Sequence, residues 1–269
     1  MRHSPVHHVA LEGSVGVLEA HLRDDRVYGA LRLFGGGRLY RSSAENEAAV
    51  FDLEVSWRGY FGERYAPDGA IRCCVVGNPS VYGMVGWTNG PQLQVRGGIG
   101  IAPPLSALTY GIGFTHVAYV GRAQWGFWDS WEGIVGALGV VARGDLEVRE
   151  GIFLAGAELA FAGSFLVDVG SRDPIAHYQV GGYVGIAPIE WLALGVRVQV
   201  AGWSDGGGDP DVWTAPADAQ VAVMPFARFF PRPAFFEVAG TMNIDEPLGF
   251  ASSTLLWAIR VSGGVEWTQ

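Results

Sequence analysis

The segment from Ile175 to Trp203 constrains the fold of this chain more than any other. Apolar residues alternate with polar or small ones on both sides of a turn at Ala187–Trp191. Side chains of a β-strand point alternately to opposite faces, so a period of two predicts two strands of about 10 residues each. The segment therefore predicts a β-hairpin with one apolar face and one polar or small face.

The same division recurs along most of the 269 residues. Forty glycines and only 17% charged residues argue against a helical protein, because glycine costs about 1 kcal/mol in a helix interior. Clear alternation predicts further strands at Ala49–Phe61, Leu93–Ile101, Leu108–Thr115, Phe153–Val167, Phe236–Ile244 and Leu255–Trp267. Weaker patterns predict others at Val9–Leu22, Val27–Gly35, Ile134–Ala142 and Gln220–Phe229. Two more strands, at Ala70–Gly77 and Val81–Trp87, would bring the total to 14, whereas a single strand there, with Val9–Leu22 not a strand, would give 12.

These strands need a cover for their apolar faces. A second sheet or a helix is the usual cover, but the sequence offers no amphipathic helix and no spare apolar face. Lipid is the remaining cover, and a closed barrel is the only sheet that satisfies every backbone group within a bilayer. The prediction is an all-β, transmembrane, antiparallel up-and-down β-barrel. It occupies residues 9–269, after a flexible N-terminal segment at residues 1–8.

The connections between strands differ in length. Three are short and carry proline, at Ala102–Pro104, Ala187–Glu190 and Pro231–Pro233, and they predict short periplasmic turns. Longer connections, predicted to be extracellular loops, lie at Trp125–Trp131, Gly170–Pro174, Ser204–Asp218 and Asp245–Ser252. Four tryptophans near strand ends on the apolar face predict the aromatic girdle of the membrane interface: Trp57, Trp191, Trp257 and Trp267.

Glycine-rich alternating strands, proline turns followed by Trp191–Val196, and the closing strand Leu255–Trp267 together resemble bacterial outer-membrane β-barrel proteins of the porin-like kind. The resemblance covers most of the chain from Ala49 onward. It implies an outer-membrane location, with membrane lipid as a partner. Residues 1–26 lack the uninterrupted apolar core of a signal peptide.

The net charge and the cysteine and histidine content also exclude some functions. A formal charge of -9 provides no basic stripe for nucleic acid. The spacing of cysteine and histidine indicates neither a zinc site nor another metal site, and we predict no cofactor. The two cysteines, Cys73 and Cys74, are adjacent, and we interpret them as small apolar residues of a strand rather than a redox disulfide.

The polar face predicts the lining of a lumen that carries both signs of charge. A polar wall compensates an ion for lost hydration, so the prediction is a passive pore or channel for small solutes. The predicted lumen-lining residues are Asp52, Glu54, Ser56, Arg58, Gln94, Arg96, Glu158, Arg197, Gln199, Glu237, Arg260 and Glu266. If these side chains instead fill the interior, the barrel is structural and docks other envelope proteins.

Two further features support alternative functions. Ser164, Asp168 and His177 fall on the inward face of neighbouring strands, and a lipid hydrolase or protease could use such a triad. Chance alignment is easy among so many polar positions, so we favour a protein that is not an enzyme. An aromatic loop on the outer side could close the mouth, enter the interface or contact another envelope protein: Trp125, Phe127, Trp128 and Trp131.

Overall fold

A computed structural model describes most of the chain. The described residues are 7–20, 23–42, 47–65, 71–89, 92–105, 122–126, 128–134, 136–167, 174–203, 219–245 and 254–267. Among them, no helix is long and apolar enough to span a membrane. The strands are β1 (His7–Ala20), β2 (Arg23–Arg41), β3 (Glu47–Tyr65), β4 (Ile71–Val76), β5 (Ser80–Asn89), β6 (Leu93–Ala102), β7 (Ala137–Glu150), β8 (Phe153–Leu166), β9 (Ile175–Ile189), β10 (Leu192–Trp203), β11 (Gln220–Phe229), β12 (Ala234–Asn243) and β13 (Thr254–Trp267).

Twelve of these strands form a closed antiparallel barrel. Sequential strands pair with each other, β5 pairs with β3, and β1 closes the ring by pairing with both β2 and β13. The remaining strand, β4, pairs with the far part of β3, beyond the residues that pair with β5. The predicted barrel and its strand number are thus confirmed. The predicted strand at Leu108–Thr115 lies outside the described residues, and the ring is complete without it.

The barrel has two different ends. One end carries the start of β1, the end of β13 and the turns β7–β8, β9–β10 and β11–β12, and we call it the turn end. The other, the loop end, carries most of the longer connections. Ala102–Pro104 was predicted as a periplasmic turn, but it lies at the loop end, where it begins the long connection from β6 to β7. A proline turn signal marks where a strand ends and carries no information on which end of the barrel that is.

The barrel is apolar outside and polar inside. Large apolar side chains are exposed all round the exterior, as at Ile99, Val184 and Phe153, which are 73%, 66% and 64% exposed. Arg58 and Gln199, by contrast, are each only 1% exposed, in the interior. This arrangement is the inverse of a water-soluble protein and matches a wall that faces lipid.

Two predictions, on the N-terminal segment and on the cysteine pair, are wrong. The barrel begins at His7, which pairs with Trp267 and Gly37. The N-terminal segment that precedes the barrel is therefore shorter than the predicted residues 1–8. Cys74 is disulfide-bonded, and the only other cysteine of the chain is Cys73. The register of β4 on β3 shifts between Phe61 and Arg64, opposite this pair, so strict alternation does not hold there.

Candidate functional site: a plugged lumen

Part of the long connection between β6 and β7 lies inside the barrel. Its described residues, 122–126 and 128–134, are all buried, and we call them the plug. Residues Ser130–Gly133 of the plug form a short 3₁₀ helix. The plug contacts side chains from β1, β2, β3, β5, β9 and β10, so it extends across the lumen from one wall to the other.

Four charged side chains hold the plug against one wall. Asp129 and Glu132 belong to the plug, whereas Arg32 and Arg58 project from β2 and β3. Oδ2 of Asp129 lies 3.0 Å from Nη2 of Arg32 and 3.2 Å from Nη2 of Arg58. Nε of Arg58 lies 3.0 Å from Oε2 of Glu132. The two acids of the plug are thus matched by two arginines of the wall, as buried charges require.

Asp129 is fixed by its backbone as well as by its side chain. Its φ of 53° is in the left-handed region, which aspartate tolerates better than most residues. Its N–H donates to Oε1 of Gln179 at 2.8 Å, and Nε2 of Gln179 donates back to Oδ1 at 3.2 Å. Burial alone would raise the pKa of the Asp129 carboxyl, but Arg32 and Arg58 outweigh burial and hold this pKa below its ordinary value.

The tryptophans of the plug are also tied to the wall. Nε1 of Trp131 donates to the hydroxyl of Tyr82 at 2.9 Å, and Nε1 of Trp125 donates to the carboxylate of Glu12. The guanidinium of Arg58 lies 4.9 Å from the ring centre of Trp125. The indoles of Trp125 and Trp131 therefore each have both an apolar environment and a polar partner, as buried tryptophan requires.

The wall is shaped to receive one end of the plug. The chain leaves β-structure between β4 and β5, and there the N–H of Asn78 donates to the carbonyl of Glu132 at 2.6 Å. The Asn78 side chain donates to the carbonyl of Ile134 at 2.8 Å. A Cβ at Gly77 would lie 2.7 Å from the Glu132 carbonyl oxygen, so only glycine fits. The plug therefore docks on the wall at the gap between β4 and β5.

Two neighbouring cavities, which share five lining residues, lie between the plug and the turn end. The first, which we call the chamber, has a volume of about 370 Å³ and is bounded by Trp125, Trp128 and Asp129 of the plug. The second, the vestibule, has a volume of about 460 Å³ and reaches the β9–β10 turn at Glu190 and Trp191. Both are lined by charged side chains, and the plug separates them from the loop end.

Comparisons with known proteins bear on the fold. The sequence matches no family model and no curated protein. The COG4313 outer membrane channel from Pseudomonas putida F1 aligns over 99% of this chain and 97% of its own, with a TM-score of 0.65 and 8% identity. The transport unit of the autotransporter AIDA-I from Escherichia coli aligns over 100% and 91%, with a TM-score of 0.55 and 10% identity. The NanC porin aligns over 96% and 100%, with a TM-score of 0.51 and 8% identity.

The fold is that of an outer-membrane β-barrel. Identities this low show the fold alone, so the function has to be argued from the site. The lipid-facing exterior of the barrel agrees with the predicted outer-membrane location.

The structure places the predicted lumen residues of this barrel on its interior, in two groups. Ser56, Arg58 and Gln199 contact the plug. The others line the chamber or vestibule or pair with an arginine that does, and Arg96 of the chamber lies 3.3 Å from Asp52, 2.7 Å from Glu54 and 3.0 Å from Asp145. The remaining residues of this second group either form ion pairs or line a cavity: Gln94, Glu158, Arg197, Glu237, Arg260 and Glu266.

The predicted interface tryptophans lie on the exterior, at different heights. Trp191 and Trp267 are at the turn end, about half exposed, and Trp191 stacks on Phe229. Trp257 is in the part of β13 that is nearer the loop end. Trp57 lies near the middle of β3, and its Nε1 donates to the carbonyl of Gly77 at 2.9 Å.

Of the three alternatives for the aromatic loop, closure of the barrel agrees with the position of its tryptophans, and the other two need correction. Trp125, Trp128 and Trp131 are buried inside the lumen, where they cannot meet another protein or the membrane interface, and Phe127 lies outside the described residues. The segment folds inward because its indole N–H groups and acids find partners on the polar wall. Sequence reasoning missed Asp129 and Glu132, although two acids within a tryptophan-rich loop are a signal of burial against cations.

The predicted triad is present only in part. Oγ of Ser164 lies 3.0 Å from Nε2 of His177, but Nδ1 of His177 lies 3.1 Å from the hydroxyl of Ser130 of the plug. A serine therefore occupies the position that a triad gives to a carboxylate. Asp168 lies outside the described residues. The buried Ser164 and His177 join the plug to β8 and β9.

Proposed function

We propose that the protein is an outer-membrane channel for small polar solutes whose lumen is closed by the plug. The observation that carries this proposal is that the wall is complete without the plug. All twelve strands pair with two neighbours, so the plug can leave without breaking the barrel. A passage lined by charged side chains would then connect the chamber to the loop end.

The balance between the closed and open states supports this role. Buried ion pairs give little net stability over hydrated charges, so releasing Asp129 and Glu132 into water costs less than their number of contacts suggests. The tryptophans favour the closed state, because each large aromatic ring buries on the order of 200 Å². The closed state is therefore the resting state, and opening needs a stimulus or a weakened plug.

A double variant tests the proposal. Asp129→Ala with Glu132→Ala leaves Arg58 buried without a carboxylate, a change that costs about 3 kcal/mol or more in the closed state. We expect purified protein in planar bilayers to spend at least about a hundredfold more time in conducting states than wild type. The control, Glu150→Ala, removes an exposed acid at the turn end that lines neither cavity and should behave as wild type.

Folding of the variants is checked by heat-modifiable mobility on gels. A double variant that is folded in the membrane and still passes neither ions nor sugars would overturn the channel proposal. That outcome would favour the structural barrel, with an interior that remains filled.

A further inference from the structure

Two arginines lie directly opposite each other on the interior wall. Arg32 on β2 and Arg58 on β3 are register partners in the β2–β3 ladder. Like charges in this arrangement destabilise a sheet, unless an anion lies between them. A pair of guanidinium groups on adjacent strands also presents several N–H donors toward one point, which suits an oxyanion.

In the closed barrel that anion is the carboxylate of Asp129. A single oxygen, Oδ2, contacts both guanidinium groups, at 3.0 Å from Arg32 and 3.2 Å from Arg58. The left-handed backbone at Asp129 and its two hydrogen bonds to Gln179 hold the carboxylate at that point. A residue of the plug thus occupies an anion site that belongs to the wall.

We propose that the Arg32–Arg58 pair is a binding site for the carboxylate group of a small anionic solute, with Asp129 as its built-in occupant. The solute enters the chamber and displaces Asp129, and the plug, having lost this contact, leaves the lumen. The inference rests on the proposed channel function and adds to it both the chemical class of the solute and the stimulus that opens the channel.

The chamber gives such a solute access to the site. Arg32 lines the chamber and its side chain is 18% exposed, whereas the side chain of Arg58 is fully buried behind it. A volume of about 370 Å³ is at the small end of the range for ligand sites. The solute therefore meets Arg32 first and reaches Arg58 only as Asp129 withdraws.

The carboxylates of the chamber already have partners. Glu54 is paired with Arg96 at 2.7 Å, and Glu158 with Arg197 at 3.0 Å. The hydroxyl of Tyr183 donates to Glu147 at 2.8 Å, and Glu12 accepts from Trp125. Because these acids are engaged, they repel an entering anion less than free carboxylates would.

Succinate is a suitable probe, with the uncharged succinamide as its matched control. In planar bilayers at constant ionic strength, succinate should raise the open time of wild type by about tenfold or more, within the usual range of ligand coupling, and succinamide should not. Arg32→Gln should abolish the response, and Arg32→Lys, which keeps the charge without the planar fork, should weaken it. Arg149→Gln removes a charge from the same chamber and should retain the response.

Equilibrium dialysis of labelled succinate against detergent-solubilised protein measures the site independently of conduction. Asp129→Asn removes the charge of the built-in occupant, so it should bind succinate more tightly than wild type, and Arg32→Gln should bind it at least about tenfold more weakly. Equal binding by all three proteins would overturn the site.

The two proposals fail in different ways. If the Asp129→Ala, Glu132→Ala double variant conducts but succinate neither opens nor binds wild type, the channel stands and the carboxylate site is wrong. If the double variant does not conduct but succinate binding follows Arg32 and Asp129, the site stands and the channel is wrong.

Discussion

The two halves of the lumen are built from the same kinds of residue but differ in what surrounds them. In the loop half, Arg58 has a fully buried side chain among the acids and carbonyls of the plug. In the turn half, Arg197 pairs with Glu158 at a similar distance, but its side chain is 27% exposed to the vestibule. The same ion pair is thus dry in one half and wet in the other, and the energetic weight of each residue depends on that difference.

The largest expected difference between the two halves comes from replacing one buried arginine in the loop half and one hydrated arginine in the turn half. Arg58→Met leaves Asp129 and Glu132 buried with less compensation, which should destabilise the closed state by about 3–5 kcal/mol. Arg197→Met, in the wet half, should cost at most about 1 kcal/mol, because its pair is screened by water. Open time in planar bilayers should rise more than about a hundredfold for the first variant and less than about fivefold for the second.

Equal effects of the two arginine variants would show that the halves do not differ. Denaturation in guanidinium, followed by tryptophan fluorescence, checks that each variant barrel remains folded.

The wall of both halves could be predicted from the sequence. Alternation assigns Asp52, Glu54 and Arg58 to the interior and Leu53 and Val55 to the lipid, because a strand places neighbouring side chains on opposite faces. A closed barrel then follows from the need to satisfy every backbone group within lipid. Alternation leaves the strand break at Gly77–Pro79 open as a choice between one and two strands, and it could not reveal the disulfide at Cys74, because both depend on local departures from a period of two.

Two glycines with nearly the same backbone conformation allow a second comparison, between the plug and a turn at the turn end. Gly126 in the plug has a φ of 56° and Gly151 in the β7–β8 turn has a φ of 57°. Alanine at either position costs about 1 kcal/mol for the left-handed backbone. At Gly126 a Cβ would also lie 2.5 Å from Cβ of Ala222 and 2.7 Å from Nε2 of Gln199, whereas at Gly151 it meets nothing within 4 Å.

Gly126→Ala should therefore destabilise the closed state by about 2–3 kcal/mol in total, and Gly151→Ala should lower the stability of the barrel by about 1 kcal/mol. The first should increase open time in bilayers, and the second should leave open time unchanged. If Gly151→Ala opened the channel as much as Gly126→Ala, the effect would come from the backbone alone and not from contact with the wall.

The sequence of the aromatic loop allows closure of the mouth, entry into the interface or contact with another protein, and it cannot decide among them, for a physical reason. It has no periodic pattern, and whether a loop folds into the lumen depends on partners brought by distant strands. Asp129 meets Arg32, Arg58 and Gln179 only after the barrel has closed. The tryptophans were recognisable as unusual, but aromatic side chains with an N–H donor suit a membrane interface as well as a polar interior.

The smallest effects are expected from removing one hydroxyl in each half. Tyr82 accepts from Nε1 of Trp131 at 2.9 Å in the dry half, and Tyr183 donates to Glu147 at 2.8 Å in the vestibule. Phenylalanine keeps each ring against its arginine neighbour, Arg143 or Arg197. Each change therefore removes the hydroxyl and leaves the ring in place.

Tyr82→Phe should cost about 1–2 kcal/mol, because the N–H of Trp131 is left buried without a partner. Tyr183→Phe should cost about 0.5 kcal/mol or less, because water can replace the hydroxyl at Glu147. Guanidinium denaturation of detergent-folded barrels gives both values. If Tyr183→Phe proved as costly as Tyr82→Phe, the vestibule would be as dry as the plug, and the solute would have no hydrated route to Arg32.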